Sequence, residues 1–136
     1  MAGGPASRIG TLICHEDLLG SELARWLPQA HVLLNPGNLA WFEGTAALPQ
    51  RLQIAQARAL EAGRPLLRVA NTGVSAHIDH LGRVREFAAE GVTGVVTGQV
   101  QGMQGRTPYA RWGDALAGGL IGLALVLGAA LRRRPR

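Results

Sequence analysis

Between Asp114 and Arg132 run 17 consecutive uncharged residues, ALAGGLIGLALVLGAAL, and no other feature narrows the possible folds as much. As a helix the run rises about 25 Å at ~1.5 Å per residue, close to the thickness of a bilayer's hydrocarbon core. It predicts a transmembrane helix over 113–131. Tyr109 and Trp112 stand just before it, where amphipathic rings settle at the interface. Arg132, Arg133, Arg134 and Arg136 follow it. By the positive-inside preference they make 132–136 a basic cytoplasmic tail and put residues 1–112 on the opposite side. Gly118 and Gly122 form a GxxxG pair, with Gly128 nearby. That spacing suits close contact with another membrane helix, or is merely compositional in a solitary anchor. The amino-terminal MAGGPASR has no apolar stretch that would export such a domain. Further sequence is therefore expected upstream.

All 14 basic side chains are arginines. Without the four in the tail, ten arginines face nine acidic residues, so residues 1–131 are nearly neutral and a nucleic-acid-binding face is not expected. Cys14 is the one cysteine, which excludes an intrachain disulfide and leaves either an apolar filler or a reactive thiol.

Before the apolar run the pattern alternates between strand and helix. Ile9–Ile13 reads as a strand, and Glu16 and Asp17 as the opening of a helix with Leu19, Leu23, Trp26 and Leu27 on one stripe. His31–Leu34 reads as a buried strand stopped by Asn35-Pro36, followed by a loop to about Leu48. Pro49–Ala62 suits a helix with Gly63 just past its end. Leu66–Val69, Val74–Ile78, Arg83–Phe87 and Gly94–Val100 read as strands, with a turn at Asp79–Gly82. This order predicts a layered α/β or α+β domain.

Cys14 falls where the first strand gives way to a helix, a place where backbone amides and the helix dipole favour a thiolate and can hold an oxyanion. His15 is adjacent but points to the other face of a strand end, so a base distant in sequence suits the thiol better. Glu16 is placed to line the same pocket. His77, Asp79 and His80 straddle a strand and a turn with no fourth ligand near, and metal binding is not expected. Arg58, Glu61 and Arg64 are spaced for an ion pair on a helix surface.

The strings GTLICHEDL, LLNPGNLAWF, ARALEAGRPLLRVANTGVSAHID and TPYARWGD, followed by an apolar span, resemble the apolipoprotein N-acyltransferases, a membrane-embedded branch of the nitrilase (carbon–nitrogen hydrolase) superfamily. The resemblance covers nearly the whole chain. It implies the C-terminal part of an αββα nitrilase-like sandwich, followed by one transmembrane helix of the bacterial inner membrane, with the domain in the periplasm. It makes Cys14 the nucleophile of a Glu-Lys-Cys triad. The triad takes an acyl chain from a phospholipid donor as a thioester and passes it to the amino group of a diacylated lipoprotein's N-terminal cysteine. Glu16 matches the family's acidic pocket residue and Trp41 an aromatic residue at the site's mouth; on chemical grounds the His15 N–H is expected to supply one oxyanion donor and the Lys the second. No cofactor is implied.

The family's Glu and Lys lie upstream of the cysteine segment, yet no Glu precedes Cys14 and no Lys occurs at all. His15 and Leu39 stand where the family often has Tyr and Asp. The expected arrangement is a nucleophile separated from its base, with the N-terminal half of the same enzyme as the missing partner. A membrane-tethered amidase and a non-catalytic remnant are the alternatives.

Overall fold

The computed structural model describes residues 7–20, 23–24 and 27–132, except for the side chain of Leu116. Five strands form one sheet in sequence order: β1 (Ile9–Thr11), β2 (Val32–Gly37), β3 (Leu66–Ala70), β4 (Ser75–Ile78) and β5 (Val84–Ala88). The first three are parallel and the last two antiparallel, so the α/β half and the hairpin half meet at β3. Helix α1 (Ala47–Ala62) connects β2 to β3. Its small residues Ala55, Ala59 and Ala62 let it lie close on Leu33, Leu66, Ala76 and Ile78, while Leu12, Leu23, Leu27 and Ala30 complete the core. Gly63 ends the helix at φ 60°, a left-handed position that glycine adopts without strain. The other face of the sheet is thinly covered, with Val69 half exposed. One sheet with one helical layer makes half of the expected αββα arrangement.

Several expectations need correction. The first strand pairs only through Thr11, although the Leu12 amide still donates to the Leu34 carbonyl at 2.8 Å. Glu16 and Asp17 themselves lie in a 3₁₀ turn, Cys14–Leu18, and the α-helical residues described after it, Gly20, Leu23 and Ala24, include the buried Leu23 of the expected stripe. Trp26 of the predicted stripe lies outside the described residues. Strand β2 does not stop at Asn35 but runs through Pro36 to Gly37. Proline is tolerated there because β1 has already ended, leaving only β3 alongside. Gly94–Val100 forms no strand. It crosses the β4–β5 hairpin, with Gly98 against His77 and Glu86, and finds no ladder partner.

At the hairpin turn the Asp79 carboxylate accepts from the amides of Leu81 and Arg83, both at 2.9 Å, and pairs with Arg85 at 2.7 Å. Burial opposes its ionisation, but these donors together hold the carboxyl below its usual range. A depressed carboxyl contributes stability fully above its unfolded pKa of about 4 and loses it as pH falls through the lowered value. Asp79→Ala is expected to cost about 1–3 kcal/mol at neutral pH and to flatten the acid limb of the stability profile. Urea unfolding across pH 2–7 checks both, and an unchanged acid limb would refute the assignment.

Helix α2 (Pro108–Trp112) is capped by Thr107, whose hydroxyl accepts from the Ala110 amide at 3.0 Å. Gly113 and Asp114 then separate it from α3 (Ala115–Arg132). The apolar run is therefore helical, but it starts at Ala115 rather than 113. Among the described residues no helix is long and apolar enough to cross a membrane. The uncharged stretch of α3, Ala115–Leu131, rises about 25 Å against a core of roughly 30 Å. Leu120, Ile121, Leu125 and Val126 are nevertheless each at least 60% exposed, so α3 buries none of them on the sheet domain. Residues 133–136 of the predicted tail lie outside the described residues.

Candidate active site

Cys14 sits in the turn that follows β1, at the carboxyl ends of the parallel strands, where α/β sheets characteristically place their ligands. Its φ of 52° is the only positive value among the described non-glycine residues. A side chain in that region is strained by roughly 1–3 kcal/mol and persists only where its surroundings impose it. Gly37 lies beside the turn, where a Cβ would stand in ordinary van der Waals contact with the Cys14 Cα at 3.6 Å.

What imposes the turn is a buried polar network beneath it. Arg51 of α1 donates to the Cys14 carbonyl at 2.6 Å. Asn35 of β2 donates to the carbonyls of Leu12 at 2.7 Å and Cys14 at 3.1 Å. Arg68 of β3, directly across the ladder from Asn35, donates to the Asn35 side-chain oxygen at 2.9 Å. Asp17, wholly buried, binds Arg51 at 2.7 Å and Arg68 at 3.3 Å. Burial raises the Asp17 carboxyl above its usual range against the pull of the two guanidiniums, and burial likewise lowers Arg68. One carboxylate between two arginines leaves a net positive charge under the thiol-bearing turn.

Above the turn lies an open, mainly apolar groove of about 750 Å³, lined by Ile13, Cys14, Pro36, Trp41 and Val69 among others. The Cys14 sulfur lies 4.0 Å from the Asn38 carbonyl. Trp41 rises from a short 3₁₀ turn, Ala40–Phe42, and is 82% exposed at the rim. Its loop is fixed by Asn71, which accepts from the Leu39 amide at 2.9 Å and donates to Asn38 at 2.8 Å.

Of the residues singled out from sequence, Cys14 and Trp41 share this groove. His15 and Glu16 do not line it. The Glu16 carboxylate instead accepts from the Ile13 amide at 2.7 Å and closes the turn from outside, while the His15 side chain is exposed. His77 faces Glu86 at 2.5 Å and Asp79 serves its turn, so neither is directed to Cys14. Arg58 and Glu61 form the expected pair at 3.0 Å, whereas Arg64 is no surface residue and is buried among carbonyls. Sequence reasoning overlooked Asp17, Asn35, Arg51 and Arg68. Their signal was a polar side chain at an inward position of an otherwise apolar strand or helix, as in LLRVA.

Cys14 is thus a strained thiol in the turn after the first of three parallel strands. Residues 1–109 match the carbon–nitrogen hydrolase family, and the chain belongs to it. Within that family the similarity is specific. The chain is 48% identical to the apolipoprotein N-acyltransferase of Bordetella bronchiseptica over 95% of its own length, and 46% identical to that of Nitrosomonas europaea over 89%. It spans about a quarter of the length of these relatives, 25% and 24% respectively. Solved structures agree in fold. A carbon–nitrogen hydrolase from Helicobacter pylori G27 superposes on 62% of the chain and 37% of its own, with a TM-score of 0.51 at 20% identity. An amidase of the nitrilase superfamily from Nesterenkonia AN1 covers 60% of the chain and 34% of its own, with a TM-score of 0.52 at 17% identity.

Proposed function

We propose that this chain is the nucleophile-bearing, C-terminal portion of an apolipoprotein N-acyltransferase. The observation that carries the reading is Cys14, strained at the floor of an apolar groove that suits a hydrocarbon chain better than a polar amide. In the first step the sulfur attacks the ester carbonyl of a phospholipid. A C–S bond forms, the ester C–O bond breaks, and the lysophospholipid leaves with a proton. In the second step the amino group of a diacylated lipoprotein attacks the thioester. A C–N bond forms, the C–S bond breaks, and a proton returns to sulfur. The base and the oxyanion-binding cation are the Glu and Lys that the family carries upstream. In this reading Trp41 walls the acyl chain at the mouth, and the His15 amide supplies one oxyanion donor beside the upstream Lys.

The membrane placement belongs to the same proposal. Residues 1–112 face the periplasm, α3 enters the inner membrane as an apolar helix, and residues 132–136 reach the cytoplasm. The exposed leucines of α3 support it.

The test joins this chain to the upstream portion of the enzyme and supplies phospholipid without acceptor. Intact mass should rise by one acyl group, and hydroxylamine should remove it. Acylation of any other residue would overturn the reading. A reporter fused after Arg136 should be active only as a cytoplasmic form, and activity in the periplasm would reverse the orientation.

A further inference from the structure

At the end of the sheet opposite Cys14, where β2 and β3 begin, a second cavity of about 400 Å³ is lined by His31, Arg64, Gln104, Arg106 and Arg111. No carboxylate lines it. Arg64 forms its floor and is 3% exposed. Its donors go to carbonyls only: Ala30 and Gly105 at 2.8 Å, Gly63 at 3.2 Å, Leu27 at 3.3 Å and Ala62 at 3.5 Å. Carbonyls satisfy its hydrogen bonds and leave its charge unneutralised. Among the described residues no ion pair includes Arg64, Arg106 or Arg111. Burial lowers the Arg64 guanidinium, and no acid offsets the effect. The acids of the flanking elements are engaged: Glu61 pairs with Arg58 at 3.0 Å, and Asp114 accepts from the Tyr109 hydroxyl at 3.1 Å.

The frame is also fixed. The Met103 amide donates to the His31 carbonyl at 2.9 Å, and the Thr107 hydroxyl donates to the Glu61 carbonyl. These bonds hold the loop carrying Gln104 and Arg106 at both ends. The His31 Nδ1 accepts from the Arg8 amide at 3.3 Å, and its Nε2 lies 3.4 Å from the Gln104 side-chain nitrogen. Two exposed guanidiniums and a buried positive charge thus converge on one cavity, with the His31 ring and the Gln104 amide at its wall. That donor set matches an anion with several oxygens, which planar guanidiniums bind in bidentate fashion.

We infer that this cavity binds a phosphate group. Its position points to a lipid headgroup as the source, because only Trp112, Gly113 and Asp114 separate Arg111 from the apolar helix α3. That choice of source rests on the proposed membrane placement, whereas the phosphate chemistry does not.

The test compares the full chain with Arg106→Gln, Arg111→Gln and Arg83→Gln, the last removing the same charge from the distant hairpin. In neutral detergent, titration with inorganic phosphate followed by ³¹P line broadening should show binding that weakens about tenfold in either cavity variant and stays unchanged in Arg83→Gln. In flotation, the preference for phosphatidylcholine vesicles containing phosphatidylglycerol over phosphatidylcholine alone should fall in the same two variants. A fall in both arms supports the lipid source. A fall in the phosphate arm alone keeps the phosphate site and assigns it to a free phosphate. Equal losses in all three variants, or no phosphate binding, overturn the inference. Failure of every vesicle to capture the chain refutes the membrane placement, and the phosphate arm still decides the cavity.

Discussion

Asp17→Leu is expected to lower the stability of the enzyme by about 3–5 kcal/mol, the usual cost of stripping a buried ion pair of one partner. Asp17 is wholly buried and touches both Arg51 and Arg68. Leucine would leave two guanidiniums facing each other without an anion, and nothing among the described residues could replace it. The second consequence is local. Without Asp17, Arg51 has no fixed reason to stay at the Cys14 carbonyl, so the turn should relax from its positive φ. Arg51→Met added to Asp17→Leu should recover part of the stability, because one guanidinium left with Asn35 is less costly than two in mutual repulsion. Activity should not return with it, since Met cannot bind the carbonyl. Urea unfolding and acyl transfer, measured on the enzyme with its upstream portion, separate the two effects. A loss below about 1 kcal/mol in Asp17→Leu would show that the network does not hold the turn.

Cys14→Ala should abolish both the thioester and lipoprotein acylation, a fall of at least about 10⁴-fold if covalent catalysis is the route. The same substitution should leave the fold intact, because the half-buried sulfur makes one hydrogen-bonding contact among the described residues, a long one to the Asn38 carbonyl at 4.0 Å. Stability therefore serves as the internal control. Trp41→Ala is expected to be milder, raising the concentration of phospholipid needed while sparing the maximal rate. Full activity in Cys14→Ala would end the nucleophile assignment outright.

The order of elements was legible in the sequence because each carries its own period. α1 alternates at helical spacing and stops at a glycine, and β3, β4 and β5 come within a residue or two of where apolar runs and turn residues put them. Ends set by neighbours were not legible. Pro36 looks like a stop until the shortness of β1 is known. Gly94–Val100 looks like a strand until it proves to have no edge to join. Cys14 stood out by position and resemblance, but its supporting residues did not. Arg51 and Arg68 are unremarkable in a list of 14 arginines, and only tertiary contact makes them partners of one aspartate.

The network also governs when the thiol-bearing turn can exist. Asp17 and Arg68 are 51 positions apart, and Asn35 and Arg68 are 33 apart. Such separations make the contacts late events in folding, after the loop-closure entropy of β2 and α1 has been overcome. During synthesis Cys14 emerges first, with none of its clamps yet made. Asn35 and Arg51 can reach its carbonyl once β2 and α1 have formed, but the network is complete only when β3 brings Arg68 to Asn35 and Asp17. The strained conformation thereby depends on completion of the parallel sheet, and a chain stalled before β3 would carry the sulfur with Arg68 missing from its supporting network.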